Sequence, residues 1–513
     1  MKRLVLNIRN EWVVIFILIL CSLPSAIAFI HPGFPQTDDG NWMIIRLSAF
    51  YESMRAGEFP VRWLSRLNNG YGYPVSNFLY PGFMYLGVPI AVLTSSFVMT
   101  TKLLFTMSLV LSSVGMYLWL RRSFNKWPSI VGGLIYLYSP YHLFDVTVRG
   151  SLGEVLVLAL APFVFWALDR KSVGLTGIFL GLLLISHNTL AVLFLPVIIF
   201  YQLLRSSVGM SLVQRWAGII LGITLSAFFW IPAIVELKDT VFAQVAVSNW
   251  AEYFADFHLI GLVQIVVLLT GALIFFTKYR QSFQEKKPVI FFIIIAGASL
   301  FMSAVISTPI WQLLPVQFIQ FPFRILSLAI FATAFLSAWI MNSLQRKVIC
   351  GCFFLIVAAM STLPYLLPRG YDYFDEGYYA TNQATTTVKN EYMPKWVKET
   401  ATSPTRIVTA RSAIITNEVR SGSTINFTTT AEKSEKIFIN QIYFPGWRVQ
   451  TNNKDVPMRY DNPKGIMEVT VNKGRQTVMA SFEETPLRLL ADFISVFSLV
   501  ILLGFLLKNI KKR

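Results

Sequence analysis

Two adjacent aspartates, Asp38 and Asp39, followed by Gly40, are the first residues in the chain whose spacing could support chemistry. A carboxylate close to a bound hydroxyl group can act as a general base, and a pair of carboxylates can hold a divalent cation. Aspartate is also a preferred N-cap residue and is stabilised by the helix dipole. Because residues 42–56 have the pattern of an amphipathic helix, catalysis, metal binding and helix capping all stay open for this pair.

Charged residues at the ends of apolar segments form a second candidate group. Arg149 and Glu154 stand at the start of one segment, and Arg324 lies about one helical turn inside another, four residues after Gln320. A charged side chain at that depth is costly unless an anion meets it, and the planar guanidinium fork suits a phosphate. The sequence therefore favours an anionic ligand for Arg324, whereas Arg149 could bind a phosphate, pair with Glu154 or contact lipid headgroups.

The dipeptide His187-Asn188 lies in a predicted tight turn between two apolar segments. Metal binding, hydrogen bonding to a substrate and simple turn formation are all open for it. A divalent metal ion near Asp38 or His187 is one expectation, although no set of ligands has a spacing that defines it. Every histidine falls at an outer helix end or in an outer loop, which favours one polar site at that face: His31, His142, His187 and His258.

Apolar segments must position these residues. Apolar residues make up 55% of the 513 residues and charged residues 14%, against roughly 25% charged residues in soluble proteins. Runs long enough to cross a bilayer, about 20 residues, recur along the chain. We predict an all-α polytopic membrane domain with spans near residues 12–30, 101–120, 128–142, 153–168, 173–187, 189–204, 216–235, 259–277, 288–306, 322–342, 348–366 and 487–507.

The distribution of positive charge predicts the orientation of these helices. The formal net charge is +17, and the basic residues concentrate at one set of helix ends, while the short loops at the other ends carry only Arg149 and Lys238. Because basic residues favour the cytoplasmic side, both termini are predicted to be cytoplasmic. Residues 31–100 and 367–486 are then outside, provided that the apolar stretch 81–97 does not span. Because the orientation of the helices already explains the excess of positive charge, nucleic-acid binding is not expected.

The second long outer segment, residues 367–486, has a different composition and predicts a small C-terminal all-β domain. It contains six short runs with β-type alternation, separated by turn signals such as Ser421-Gly422 and Lys473-Gly474, which is typical of an antiparallel sandwich. The predicted organisation is a membrane domain (1–366) with a long first outer loop (31–100), the β domain (367–486), and a final helix with a basic tail (487–513).

Short motifs follow one another along nearly the whole chain: Thr37-Asp-Asp-Gly40 with Arg46, Phe59-Pro-Val-Arg-Trp63, Gly70-Tyr-Gly-Tyr-Pro74, Arg149 with Glu154, His187-Asn188, Gln320-Phe-Pro-Phe-Arg324, Glu391-Tyr-Met-Pro394 and Phe444-Pro-Gly-Trp447. Together they resemble the GT-C superfamily of membrane glycosyltransferases. More narrowly, they resemble the bacterial membrane proteins labelled 6-pyruvoyl-tetrahydropterin synthase-related, a label that does not describe what these proteins do.

The resemblance implies a GT-C-like fold whose first outer loop carries an acidic catalytic residue, with a polyprenyl-phosphate sugar as donor. The acidic residue of the family precedes the glycine, which matches Asp39, with Asp38 as an additional neighbour. On this basis Asp39 would deprotonate the acceptor, and Arg324 and Arg149 would stabilise the leaving phosphate. The other candidates for the site are Arg46, Glu154, His187, Asn188 and Gln320.

The resulting expectation is a glycosyltransferase of the bacterial cytoplasmic membrane. Its partners would be a polyprenyl-phosphate-linked sugar, an acceptor glycan or lipid, and membrane lipids. A lipid or solute transporter, a flippase or a non-catalytic envelope assembly protein is the alternative. A transporter predicts repeated halves with broken helices at mid-membrane, whereas the sequence shows no convincing repeat and its ionisable residues gather at one face.

Overall fold

The computed structural model describes residues 2–205, 212–244, 250–278, 283–313, 319–403 and 406–510. Arg280 and the basic residues 511–513, which contribute to the predicted orientation, lie outside the described residues. The described part of the chain forms twenty α-helices: α1 Lys2–Ser22, α2 Gly40–Arg55, α3 Val75–Phe78, α4 Gly82–Thr94, α5 Phe97–Leu120, α6 Lys126–Leu137, α7 Pro140–Phe144, α8 Leu152–Asp169, α9 Val173–Leu184, α10 Asn188–Arg205, α11 Leu212–Leu225, α12 Ala227–Val235, α13 Phe257–Ile260, α14 Leu262–Lys278, α15 Phe283–Ser303, α16 Thr308–Leu313, α17 Leu326–Ser343, α18 Lys347–Thr362, α19 Glu376–Thr381 and α20 Pro486–Ile510.

Eight helices of the described residues are long and apolar enough to cross a membrane, and α11 with α12, bent by 65°, would make a ninth. The predicted spans 173–187 and 259–277 correspond to the shorter apolar helices α9 and α14. The predicted span 128–142 is divided into α6 and α7, because Pro140 starts a new helix there. Every predicted span therefore falls on helix, but the number twelve is not confirmed.

The apolar stretch 81–97 contains α4, whose 13 residues are fewer than a spanning helix needs. Ser95 ends this helix in a left-handed conformation with φ 55°. At its start the Gly82 amide donates to the Ile185 carbonyl at 2.8 Å, and just beyond its end the Phe97 amide donates to the Glu376 carboxylate at 2.9 Å. The first contact is with the end of the predicted span 173–187 that is expected to face outwards, and the second is with the predicted outer segment 367–486, so both ends of α4 contact groups predicted to lie on the same side. The orientation across the membrane itself stays a prediction.

Helix α17 forms the centre of the helical domain. The apolar stretch Pro322–Ser343 is 94% buried, which makes it the most enclosed of the eight candidate spans in the described residues. Helices α6, α14 and α15 pack around it. Burial on all sides explains why its sequence is apolar without a polar stripe. It also means that Arg324, in the turn directly before α17, is surrounded by protein.

The β-strands of the described residues fall in three sheets: β1 Phe34–Pro35, β2 Tyr371–Asp372, β3 Val408–Ala410, β4 Ile414–Ser421, β5 Thr424–Ala431, β6 Glu435–Ile442, β7 Trp447–Thr451, β8 Lys454–Asp455, β9 Met458–Arg459, β10 Ile466–Val471 and β11 Gly474–Phe482. A sheet of order β3-β6-β10-β9 and one of order β4-β5-β11-β7-β8, with every pair antiparallel, form the C-terminal domain. Each predicted β run overlaps one of these strands. The two-stranded sheet β1-β2 joins the segment before α2 to the segment after α18.

Two buried arginines connect the last helix to the rest of the molecule. The guanidinium group of Arg488, in the first turn of α20, pairs with Glu236 at 2.9 Å and is fully buried. Arg62 of the first outer loop contacts Glu484 at 3.0 Å and Asp492 at 2.7 Å. The ion pairs of Arg62 hold residues 31–100, the segment that carries the aspartate pair, against the start of α20, and the Arg488 pair holds α20 against the residue that follows α12.

Candidate active site

The backbone places the aspartate pair beside the Arg149 segment. The Asp38 amide donates to the Val148 carbonyl at 2.9 Å, and the Asp39 amide donates to the Arg149 carbonyl at 2.8 Å. The two segments can approach this closely because Gly150 has φ 64° and no side chain. A Cβ atom at Gly150 would lie 2.3 Å from the Thr37 hydroxyl oxygen. The fold therefore brings together two motifs that are more than a hundred residues apart in sequence.

Asp39 occupies the N-cap position of α2, but its side chain makes no capping hydrogen bond with the described residues. The Thr37 hydroxyl oxygen accepts from the Gly40 amide at 3.1 Å instead. The Asp39 carboxylate lies 3.5 Å from Nη2 of Arg149, and its side chain is 24% exposed. Asp38 is exposed to solvent. The structure thus favours a carboxylate that is paired with a cation and open to solvent over a helix cap.

Glu154 is the centre of the charged cluster. Its carboxylate is fully buried and accepts from Arg324 Nε at 2.9 Å and from the Tyr141 hydroxyl at 2.8 Å. Nε2 of His187 lies 3.5 Å away and Nη2 of Arg149 lies 3.8 Å away. The carboxylate is in the first turn of α8, where the helix dipole stabilises negative charge. Glu154 therefore joins residues from four separate segments.

His187 contacts Glu154 as a neutral ring. Its Nδ1 atom accepts from the Leu190 amide at 3.3 Å, which assigns the ring proton to Nε2, the atom that faces Glu154. One ring nitrogen of His187 therefore contacts the Leu190 amide and the other faces Glu154. The neighbouring Asn188 donates to the Phe78 carbonyl at 2.8 Å and so holds the first outer loop.

Arg324 lies in a short 3-10 helix, Pro322–Ile325, directly before α17. Its Nη1 atom donates to the Ile319 carbonyl at 3.0 Å and to the Gln320 side-chain oxygen at 2.8 Å. Together with the Glu154 contact, these bonds supply the anion and the acceptors that a buried arginine requires. The Phe321 ring lies 4.6 Å from the Arg324 guanidinium and 4.8 Å from that of Arg149. One aromatic ring therefore lies against both cations.

The structure brings most of the predicted site residues into direct contact, whereas the Arg46 side chain makes its hydrogen bonds to another segment. Asp39, Arg149, Glu154, His187, Arg324 and Gln320 form one connected cluster. The Arg46 guanidinium donates to the hydroxyl and carbonyl oxygens of Thr386, in the segment that follows α19. Arg46 thus connects α2 to the segment that follows α19.

Two residues of this region were missed by the sequence analysis. Tyr141 donates to Glu154, and Asp145 stands four residues before Arg149 at the end of an apolar run. The hydroxyl group of Tyr141 has no distinctive sequence signal, because tyrosines are common at membrane interfaces. Asp145 does have a sequence signal, because an acidic residue next to an apolar segment is costly unless it has a functional or structural role.

The described residues contain no group of three or more His, Cys, Asp or Glu side chains that could hold a metal ion. Asp39 contacts Arg149, and both nitrogens of His187 are engaged. Among the described residues, Asp38 and His187 are therefore not joined by enough His, Cys, Asp or Glu side chains to form a ligand set, and a divalent metal ion there stays a prediction.

The arrangement can bind an anion and remove a proton nearby. Arg149 and Arg324 supply positive charge, aromatic rings cover part of that charge from solvent, and Asp39 offers a partly exposed carboxylate. Burial would lower the pKa of Arg149, but the carboxylates of Asp39 and Glu154 raise it, so its positive charge is secure. A phosphate group beside Arg149 would lie close to the carboxylate of Asp39.

Long apolar helices and a charged cluster at the ends of several of them define an integral membrane protein with a polar site at one end of its helical domain. Residues 79–367 match the family model described as "6-pyruvoyl-tetrahydropterin synthase related domain; membrane protein". Because the match covers more than half of the chain, the chain belongs to this family of membrane proteins. The family predicted from the sequence motifs is thereby confirmed. No curated protein sequence matches the chain.

Solved structures similar to this one include two sugar transferases. The arabinofuranosyltransferase AftD from Mycobacteria is 15% identical with a TM-score of 0.48, and the similarity covers 70% of this chain and 27% of that chain. The Archaeoglobus fulgidus oligosaccharyltransferase, solved with Zn and sulfate, is 14% identical with a TM-score of 0.42, covering 77% of this chain and 59% of that chain. The chain thus spans about a quarter of the AftD chain's length.

Proposed function

We propose that this protein is a membrane glycosyltransferase that moves a sugar from a polyprenyl-phosphate donor to a glycan or another acceptor. The single observation that supports this most is the partly exposed Asp39 carboxylate, 3.5 Å from the Arg149 guanidinium at the helix ends. A proton acceptor and a phosphate-binding cation are the two groups that such a transfer needs side by side. We place this site on the outer side of a bacterial cytoplasmic membrane, with both termini inside.

The reaction would proceed by direct displacement. Asp39 takes the proton from the acceptor hydroxyl group. At the same time, the oxygen of that hydroxyl group attacks the anomeric carbon of the donor sugar. The bond between that carbon and the phosphate oxygen breaks, and the electron pair leaves with the polyprenyl phosphate. The Arg149 guanidinium would stabilise the charge that develops on this leaving group. Each proton and electron pair is then accounted for without a further reactant.

The two arginines have different freedom to bind a phosphate. The contacts of Arg149 with Asp39 and Glu154 are long, at 3.5 Å and 3.8 Å, and its Nε atom is buried without a partner among the described residues. Arg324 makes three contacts between 2.8 Å and 3.0 Å with Glu154, Gln320 and Ile319. We therefore assign direct phosphate contact first to Arg149, with Arg324 as the second cation of the site.

We expect Arg149→Lys to weaken binding of farnesyl phosphate, a short polyprenyl phosphate, by about tenfold, because a point charge loses the two-pronged contact worth about 1.5–3 kcal/mol. Arg324→Lys should weaken it less, since Arg324 is already committed to protein groups. The affinity would be measured by titration of the purified protein in lipid nanodiscs, with farnesol as the ligand that lacks phosphate.

Arg170→Lys is the matched control, because Arg170 follows the opposite end of α8 and contacts Trp166. Its affinity for farnesyl phosphate should equal that of the wild type. If both Arg149→Lys and Arg324→Lys bind as tightly as this control, the phosphate site is not where we place it. If farnesol competes as well as farnesyl phosphate does, the site recognises the lipid chain and not the phosphate.

A further inference from the structure

Asp145 is a buried acidic residue that the proposed reaction does not use. Its side chain is fully buried, and neither carboxylate oxygen has a hydrogen-bond partner within the part of the chain that the structure describes. Asp145 starts a short π-helix, Asp145–Arg149, which ends at the arginine beside Asp39. π-Helical turns are frequent at functional sites, and a buried polar group without a partner needs a physical explanation.

The same turn contains a second unpartnered group. The Nε atom of Arg149 is also buried and makes no hydrogen bond to a described residue. Residues four positions apart lie on the same face of a helical turn. Asp145 interacts electrostatically with Arg149, Glu154 and Arg324, and Arg149 interacts with Glu154, so both unpartnered groups belong to the charged cluster.

Burial determines the charge that Asp145 can carry. An ionised carboxylate without hydrogen bonds is costly in a buried site, and such a group normally keeps its proton. The groups that face Asp145 are Glu154, Arg149, Arg324 and the Tyr141 hydroxyl. Burial, followed by the negative charge of Glu154, raises the pKa of Asp145 well above its usual range, although the two arginines and the nearby Tyr141 hydroxyl oppose this.

A neutral Asp145 also leaves the cluster balanced for an anion. The carboxylates of Asp39 and Glu154 then match the guanidinium groups of Arg149 and Arg324. An ionised Asp145 would make these five groups negative as a whole and would repel a phosphate. The uncharged acid is therefore the form that is compatible with phosphate binding.

We propose that Asp145 is a neutral carboxylic acid that donates a hydrogen bond to a phosphate group held by Arg149. The inference rests on the proposed function, because it takes a phosphate as the ligand. A protonated carboxyl group supplies one O–H donor, and Arg149 Nε supplies an N–H donor from the same turn. A phosphate that accepts from both gives each buried group the partner it lacks. Asp145 keeps its proton throughout, so it is a binding residue and not an acid catalyst.

Infrared difference spectroscopy on the full-length protein in nanodiscs tests the charge state. The wild type should show the carbonyl band of a protonated carboxylic acid that Asp145→Asn lacks. Farnesyl phosphate should shift this band, and farnesol should not. Asp169→Asn is the control, because Asp169 is also buried, but it accepts from Tyr201 at the other end of α8, so this variant should keep the band.

Farnesyl phosphate titration tests the hydrogen bond. Asp145→Asn should bind nearly as tightly as the wild type, because its amide can still donate, whereas Asp145→Leu should bind about tenfold more weakly. As the pH rises and Asp145 ionises, the wild type should lose affinity relative to Asp145→Asn, in which nothing ionises at this position. A purely structural role for Asp145 would not produce this difference in pH dependence.

Two failures can be distinguished by the same titrations. If the wild type does not bind farnesyl phosphate, the proposed phosphate site is wrong and this inference fails with it. If the wild type binds and Arg149→Lys binds weakly, but Asp145→Leu binds normally, the proposed function stands and the role of Asp145 is overturned. If the wild type shows no protonated-acid band that is lost in Asp145→Asn, the proposed role of Asp145 is overturned as well.

Discussion

Asp39→Asn should lower the rate of sugar transfer by about 10²- to 10⁴-fold, the range that a general base contributes. Asparagine keeps the size of the side chain and an oxygen that can accept from Arg149, but it cannot take the acceptor proton. The contact with Arg149 is long and partly exposed, so we expect a loss of unfolding free energy below about 1 kcal/mol. The rate would be followed as release of polyprenyl phosphate from a panel of polyprenyl-phosphate-linked sugars.

Asp38→Asn is the matched control for this substitution. Asp38 is exposed, and it is Asp39, not Asp38, whose carboxylate lies 3.5 Å from Arg149. We therefore expect a smaller fall in rate for Asp38→Asn. Full transfer activity in Asp39→Asn would remove this residue as the base, whatever the effect at position 38.

Glu154→Leu should have the largest effect on stability, about 3–5 kcal/mol of unfolding free energy, because it leaves the buried Arg324 without its carboxylate. His187 and Tyr141 lose their contact with the same carboxylate. Unfolding by SDS in mixed micelles would measure the change. The double substitution Glu154→Leu with Arg324→Leu should recover much of the loss, since it removes both charges together.

An exposed ion pair provides the comparison for this stability prediction. Glu52 pairs with Arg66 at 3.3 Å, but its side chain is 59% exposed. Glu52→Gln should therefore cost less than about 1 kcal/mol. A Glu154→Leu protein as stable as Glu52→Gln would show that the buried cluster does not stabilise the fold.

Local sequence features predicted individual elements better than their arrangement. Apolar runs indicated helices correctly, but they could not show that Pro140 and the bend between α11 and α12 interrupt two of them. The predicted β runs correspond to strands that bury at least some of their side chains, whereas β4, an edge strand none of whose side chains is buried, was not predicted. Alternation marks a strand only when one of its faces is buried.

The candidate site shows the same limit. The cost of a buried arginine indicated that Arg324 must meet an anion, and Glu154 provides it. The contact between Asp39 and Arg149 could not be predicted, because it depends on two backbone hydrogen bonds between distant segments and on the absence of a side chain at Gly150. Whether Asp39 caps α2 was likewise undecided until the structure showed the orientation of its side chain.

A cryo-electron microscopy structure of the protein in nanodiscs with undecaprenyl phosphate tests the central claim most directly. We predict phosphate density in contact with the guanidinium group of Arg149, close to the carboxylate of Asp39 and to Arg324. Well-defined lipid phosphate bound elsewhere, with the contact between Arg149 and Asp39 unchanged, would contradict the account. Density for the lipid headgroup at the middle of the membrane would contradict it too, and would favour a transporter.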